Sequence, residues 1–201
     1  MTLCSKNVSF VIIVAILTLF SVDVSGKNMQ GKFGFGYEQT LLGVRGLTVQ
    51  YWTSPKFAVD IVGGTGFELD KDNNSTTTLL FAGGFKYVMV ATRYANLSVG
   101  IRADVGWRSK NIIATEADGA TVLKEVGNVT QWGLEAPLEV EYFFSDSFSV
   151  NVITGLSFTM VSKDGAVLDP QGFGGVTTPE YKGVGIGGGS LFGGAGFRFY
   201  F

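Results

Sequence analysis

From residue 31 to the end of the chain, apolar and polar residues alternate with a period of two, the mark of strands with two unlike faces. The alternation predicts eight strands, over 31–41, 47–54, 56–68, 78–90, 97–108, 130–144, 148–161 and 189–201, with no helical stripe among them. In the fifth, Leu97, Val99, Ile101, Ala103, Val105 and Trp107 share one face, and Ser98, Gly100, Arg102, Asp104, Gly106 and Arg108 the other. The sixth sets Trp132, Leu134, Ala136, Leu138, Val140, Tyr142 and Phe144 against Gln131, Gly133, Glu135, Glu139 and Glu141. No charged residue falls on the apolar face of any of the eight, although 16% of the chain is charged.

Which face lies inside decides the kind of protein. Glycines crowd the charged face and large aromatics the apolar one. Side chains converge inside a narrow barrel and diverge outside it, so the small residues belong inside and the large ones outside. An apolar exterior around a polar lumen is the pattern of a membrane-spanning barrel. Arg102, in mid-strand, gives the same direction on energetic grounds, because an arginine facing lipid at the midplane costs about 2–4 kcal/mol.

The connections keep the rhythm of such a barrel. Ser54-Pro55-Lys56, residues 91–96 and Ser145-Asp146-Ser147 are tight, whereas 69–77, 109–129 and 162–188 are longer. With the N-terminus in the periplasm, the short connections are periplasmic and the long ones external. Residues 42–46 (LGVRG) are the exception, a short connection on the external side. Asp118-Gly119 suggests a hairpin tip within 109–129. Pro137 cannot donate a ladder hydrogen bond, and a bulge is the expected accommodation. Trp52 has inward parity near the periplasmic end, where it would cap the lumen.

Length and charge narrow the reading. The 201 residues suit one domain, and a net charge of −2 gives no basic footprint for nucleic acid. Lys6, the apolar run Phe10–Phe20 and then Val24-Ser25-Gly26 read as a secretory signal peptide cut after Gly26. Residues 27–201 are then the barrel domain. Cys4, the one cysteine, would leave with the signal, so no disulfide is expected. Histidine is absent, which removes the usual general base near neutral pH. No serine–carboxylate arrangement stands out in its place, so neither catalysis nor a cofactor or metal is expected.

At this point the chain resembles the small eight-stranded outer-membrane barrels of Gram-negative bacteria, the OmpA-like and OmpX-like group. The signal peptide, the strand rhythm and the closing alternation Ala195, Phe197, Phe199, Phe201 carry the resemblance. It implies an all-β, eight-stranded antiparallel up-and-down transmembrane barrel in the cell outer membrane, monomeric and surrounded by lipid. It also implies that Phe197, Phe199 and Phe201 are the assembly signal read by the barrel-assembly machinery.

On the inward phase, Lys32, Lys86, Arg102, Arg108 and Arg198 meet Glu38, Asp60, Glu68, Asp104, Glu135, Glu139 and Glu141. Eight strands enclose only enough space for side chains to fill, and unpaired buried charge is costly. A lumen plugged by paired charges is therefore expected, with a structural or surface-interaction role. The alternatives are a narrow channel for small solutes or hydrophobic molecules, and a soluble lipocalin-like barrel. Tyr37, Tyr51, Tyr87, Trp107, Trp132, Tyr142, Phe144 and Phe201 fall near strand ends on the lipid phase, as interfacial girdles do.

Overall fold

The computed structural model describes residues 26–69, 75–115, 121–161, 167–168, 181–186 and 193–201. The signal segment up to residue 25, the Asp118-Gly119 tip and most of 162–188 lie outside the described residues. The described secondary structure is all β: β1 (Phe33–Gln39), β2 (Arg45–Ser54), β3 (Phe57–Leu69), β4 (Ser75–Ala91), β5 (Ala95–Thr115), β6 (Thr121–Phe143), β7 (Phe148–Val161), β8 (Tyr181–Ile186) and β9 (Gly194–Tyr200). Consecutive strands pair antiparallel from β1 to β7. β8 and β9 both lie against β7, at Leu156–Val161 and Phe148–Ile153, and together form one eighth stave. β9 then pairs with β1, which closes the barrel and leaves no open edge at the seam.

Three stretches differ from the sequence reading. β5 runs to Thr115 and β6 starts at Thr121, so most of the expected connection 109–129 is strand. β3 and β4 likewise reach Leu69 and Ser75, into the expected connection 69–77. β8 falls within the expected connection 162–188. Alternation reports a two-faced environment. Beyond the lipid that demand lapses, while the backbone ladder continues.

Pro137 causes no bulge. The β6–β7 ladder keeps one register from Trp132↔Met160 through Pro137↔Gly155 to Phe143↔Ser149. The adaptation lies opposite the proline. Gly155 has φ 146°, and a Cβ there would stand 2.3 Å from the Ala136 carbonyl oxygen. Gly155→Ala is therefore expected to cost about 1–3 kcal/mol of stability through backbone strain. The urea midpoint of the barrel refolded in lipid vesicles measures it, and an unchanged midpoint would relieve Gly155 of this role. Irregular registers do occur elsewhere, at Trp52/Ser54, Val88/Val90 and Lys110/Asn111.

Candidate functional site

The barrel has its apolar residues on the outside. Phe35 on β1, Ile61 on β3, Ile101 on β5 and Leu134 on β6 are 44–55% exposed, while Arg102 and Glu135 beside them are 2% exposed. Exposed Phe, Leu, Ile, Val and Tyr continue around the staves as a belt far larger than the apolar patches of soluble monomers. From Leu97 to Trp107, at about 3.4 Å per residue and a tilt near 40°, the belt is about 25 Å tall, the height of a bilayer's hydrocarbon band. Trp107 and Trp132 stand on neighbouring strands at its upper edge. At the lower edge Tyr142 meets Phe144 edge-on at 5.0 Å, and Phe148 meets Phe199 at 5.0 Å. This exterior is built to face lipid.

The closing residues follow the same parity. Phe197 and Phe199 are exposed on the belt, and Phe197 stacks on Tyr37 at 6.5 Å. Phe201, 75% exposed, exchanges backbone hydrogen bonds with Phe33, donating at 2.9 Å and accepting at 3.3 Å. The three phenylalanines thus line the seam where the barrel closes.

Inside, three layers are stacked along the axis. At the end of the barrel that carries both termini the layer is apolar: Met29, Trp52, Ala58, Val88, Phe143 and Tyr200. Trp52 is fully buried there, and the Lys86 ammonium lies 5.8 Å from its ring. At the opposite end the layer is also apolar: Leu42, Val44, Val62, Ala82 and Leu168. Between them lie six buried acids, Glu38, Asp60, Asp104, Glu135, Glu139 and Glu141, and three buried bases, Lys86, Arg102 and Arg198.

Two arginines organise this middle layer. Arg102 donates from Nη2 to Glu38 Oε1 at 2.7 Å and to Asp60 Oδ2 at 2.5 Å, and its Nη1 is 3.7 Å from Glu135. Arg198 donates from Nη2 to Glu38 Oε2, and its Nη1 lies 3.0 Å from Glu139 and 3.4 Å from Glu141. Glu38 on β1 thus bridges both arginines, from β5 and β9. Lys86 donates to Glu139 at 2.6 Å and lies 3.8 Å from Glu141. Neutral donors complete the layer. Ser149 Oγ donates to Glu141 at 2.7 Å, the Tyr200 hydroxyl donates to Glu141, and Gln50 Nε2 donates to Tyr200 at 3.1 Å. The gap among Asp60, Lys86, Ser98, Arg102 and Glu139 offers no space to a water-sized sphere.

Cross-strand pairing explains how so many long side chains fit. Gly84 on β4 stands between Asp60 and Arg102 on the flanking strands. Glu38 has Gly46 on one side and Gly196 on the other. Lys86 is opposite Gly100, Asp104 opposite Gly133, and Arg198 opposite Gly36. A Cβ on Gly84 would come within 3.0 Å of Arg102 Cβ and 2.3 Å of the Ile101 carbonyl oxygen. Glycine beside charge is thus a volume rule, with each missing side chain making room for a long neighbour.

The twelve charges on the inward phase do not all enter this layer. Glu68 is exposed at the outer end of β3, above the closed section, and lies outside it. Lys32 and Arg108 are half-buried at opposite ends and make no ion pair among the described residues. Asp104 makes no salt bridge among the described residues and accepts instead from Thr40 Oγ1 at 3.0 Å. Sequence reasoning left out Gln50, Ser149, Tyr200 and Asn151, whose Nδ2 donates to Glu38 Oε2 at 3.4 Å, as network members, although their inward parity was available. Thr40 had the same inward parity, at the end of the expected strand 31–41, and lies just beyond the end of β1.

No protein-family model matches the chain, and no curated protein sequence is significantly similar to it. Solved barrels do align with it. The N-terminal β-barrel domain of Pseudomonas aeruginosa OprF aligns with 14% identity over 86% of this chain and 98% of that one, at a TM-score of 0.33. Ail, the attachment invasion locus protein of Yersinia pestis, aligns with 13% identity over 86% and 100%, at a TM-score of 0.40. Neisserial surface protein A aligns with 14% identity over 85% and 94%, at a TM-score of 0.34. Likenesses of this size carry nothing about function across.

Proposed function

We propose that the chain is a barrel of a Gram-negative outer membrane with a structural or surface-interaction role and a lumen plugged by its own charges. The observation that carries this reading is the stacking of an ionic layer between two apolar ones, with no water-sized gap among the central charges. The interior of the barrel supplies cross-strand ties, and the exterior supplies lipid contact. A surface role draws support from the wall itself. β5 and β6 continue as paired strands beyond Trp107 and Trp132 to Thr115 and Thr121, above the aromatic edge of the belt.

Reconstitution into planar bilayers is expected to give no reproducible single-channel steps. Steps that change when Arg102 or Glu139 is neutralised would replace the plugged lumen with a channel. Fractionation tests the membrane placement separately: the chain is expected in the outer-membrane fraction, released only by detergent. Recovery in the soluble fraction would favour a lipocalin-like barrel.

A further inference from the structure

The short external connection that broke the loop rhythm has a place inside the barrel. Leu41, Leu42 and Val44 are 0–3% exposed. The segment Thr40–Val44 is a compact turn: Thr40 N donates to the Val44 carbonyl at 2.8 Å, Gly43 N donates to the Thr40 carbonyl at 3.2 Å, and Gly43 has φ 85°. It folds down into the barrel mouth and is fastened there by two acids. Leu42 N donates to Glu135 Oε1 at 2.5 Å, and Thr40 Oγ1 donates to Asp104 Oδ1 at 3.0 Å.

The opposite wall is shaped to receive it. A Cβ on Gly133 would stand 2.1 Å from Leu42 Cδ1, so the glycine leaves a socket that the leucine fills. Leu168 packs in the same apolar layer, its backbone N–H donating to Gln131 Oε1 at 2.8 Å. The two acids belong to the ionic layer beneath, whereas the socket and the leucine stand above it. A barrel already plugged by charge needs neither a socketed leucine nor a carboxylate to hold a loop.

We infer that Thr40–Val44 is a stopper, seated by Leu42 in the Gly133 socket and latched by Glu135 and Asp104, which seals the external half of the lumen. The segment is joined to the wall by these two hydrogen bonds and by the packing of Leu42 and Val44 in the apolar layer. Its withdrawal would uncover Val62 and Ala82 down to the charged layer, without opening a path across the membrane. This inference rests on the outer-membrane reading proposed above, with both termini on the periplasmic side.

Thiol accessibility tests it. In full-length protein carrying Cys4→Ser, reconstituted in vesicles, a cysteine is placed at Ala82, and a second variant carries one at exposed Glu68 as reference. A charged, membrane-impermeant methanethiosulfonate is added from outside. Ala82→Cys is expected to react slowly and Glu68→Cys fast. Gly133→Val, which fills the socket, and Leu42→Ser, which empties it, are each expected to speed labelling of Ala82→Cys by about tenfold or more, because a buried site reacts only through local opening. If Gly133→Val does not fold, Leu42→Ser decides alone. Labelling of Ala82→Cys as fast as Glu68→Cys in the otherwise native chain, or no acceleration in a folded variant, overturns the stopper. Bilayer conductance is read on the same proteins. Single-channel steps from the native chain would defeat the plugged lumen, whereas the labelling rates judge only the stopper.

Discussion

Arg102→Met is expected to lower the stability of the barrel by about 3–5 kcal/mol, the usual cost of stranding buried charges by removing one partner. Arg102 is 2% exposed and stands against Glu38, Asp60 and Glu135. Methionine matches much of its length and none of its charge. Glu38 keeps Arg198, but Asp60 has Arg102 as its only ion-pair partner among the described residues. Adding Asp60→Asn to Arg102→Met should therefore recover part of the loss. Urea titration in vesicles, followed by circular dichroism and by the heat-dependent shift in gel mobility, gives the number. A loss below about 1 kcal/mol would mean the pairs behave as water-screened surface bridges, and the closed ionic layer would have to be abandoned.

One residue away the opposite substitution is expected to do comparable harm. Ile101 is 55% exposed at mid-strand on the lipid phase. Ile101→Arg should cost about 2–4 kcal/mol, the price of an arginine near the bilayer midplane, while Ile101→Leu should be close to neutral. In a water-soluble barrel the arginine would be harmless, because an exposed side chain there meets solvent. The same urea titration reads the result, and a neutral Ile101→Arg would sink the lipid-facing exterior. Taken together, the two variants locate the boundary between lipid and lumen to within one peptide unit.

The alternation around Arg102 and Ile101 shows why the fold was legible. Lipid outside and tight packing inside impose opposite demands on adjacent residues, and the period of two records both. Above Trp107 those demands stop, so the upper parts of β5 and β6 read as connection although they pair as strand. Pro137 was visible, but its accommodation was not, because the compensating Gly155 sits on another strand and only the register brings them together. The site divides in the same way. Parity places Glu38, Asp60, Lys86, Arg102, Glu139, Glu141 and Arg198 inside. Which acid meets which base depends on the stagger between strands, which no single strand encodes. The stopper was present in the sequence only as an anomaly, a five-residue connection that was too short.

The seam between β1 and β9 bears on how the barrel is completed. Its strands come from the two ends of the described chain, and the Glu38–Arg198 pair that crosses it joins residues 160 apart. Contacts so distant carry the largest loop-closure cost, which favours their forming last. A slip of one residue there would turn every side chain to the wrong face. A slip of two keeps the faces correct, so the apolar pattern cannot detect it. In the direction that would set Arg198 opposite Gly34, it would carry the arginine about 7 Å along the strand, at roughly 3.4 Å per residue, away from Gly36 and out of reach of Glu38's second oxygen. The ion pair across the seam thus acts as a proofreader of register against a slip in that direction, a misclosure that hydrophobicity would pass.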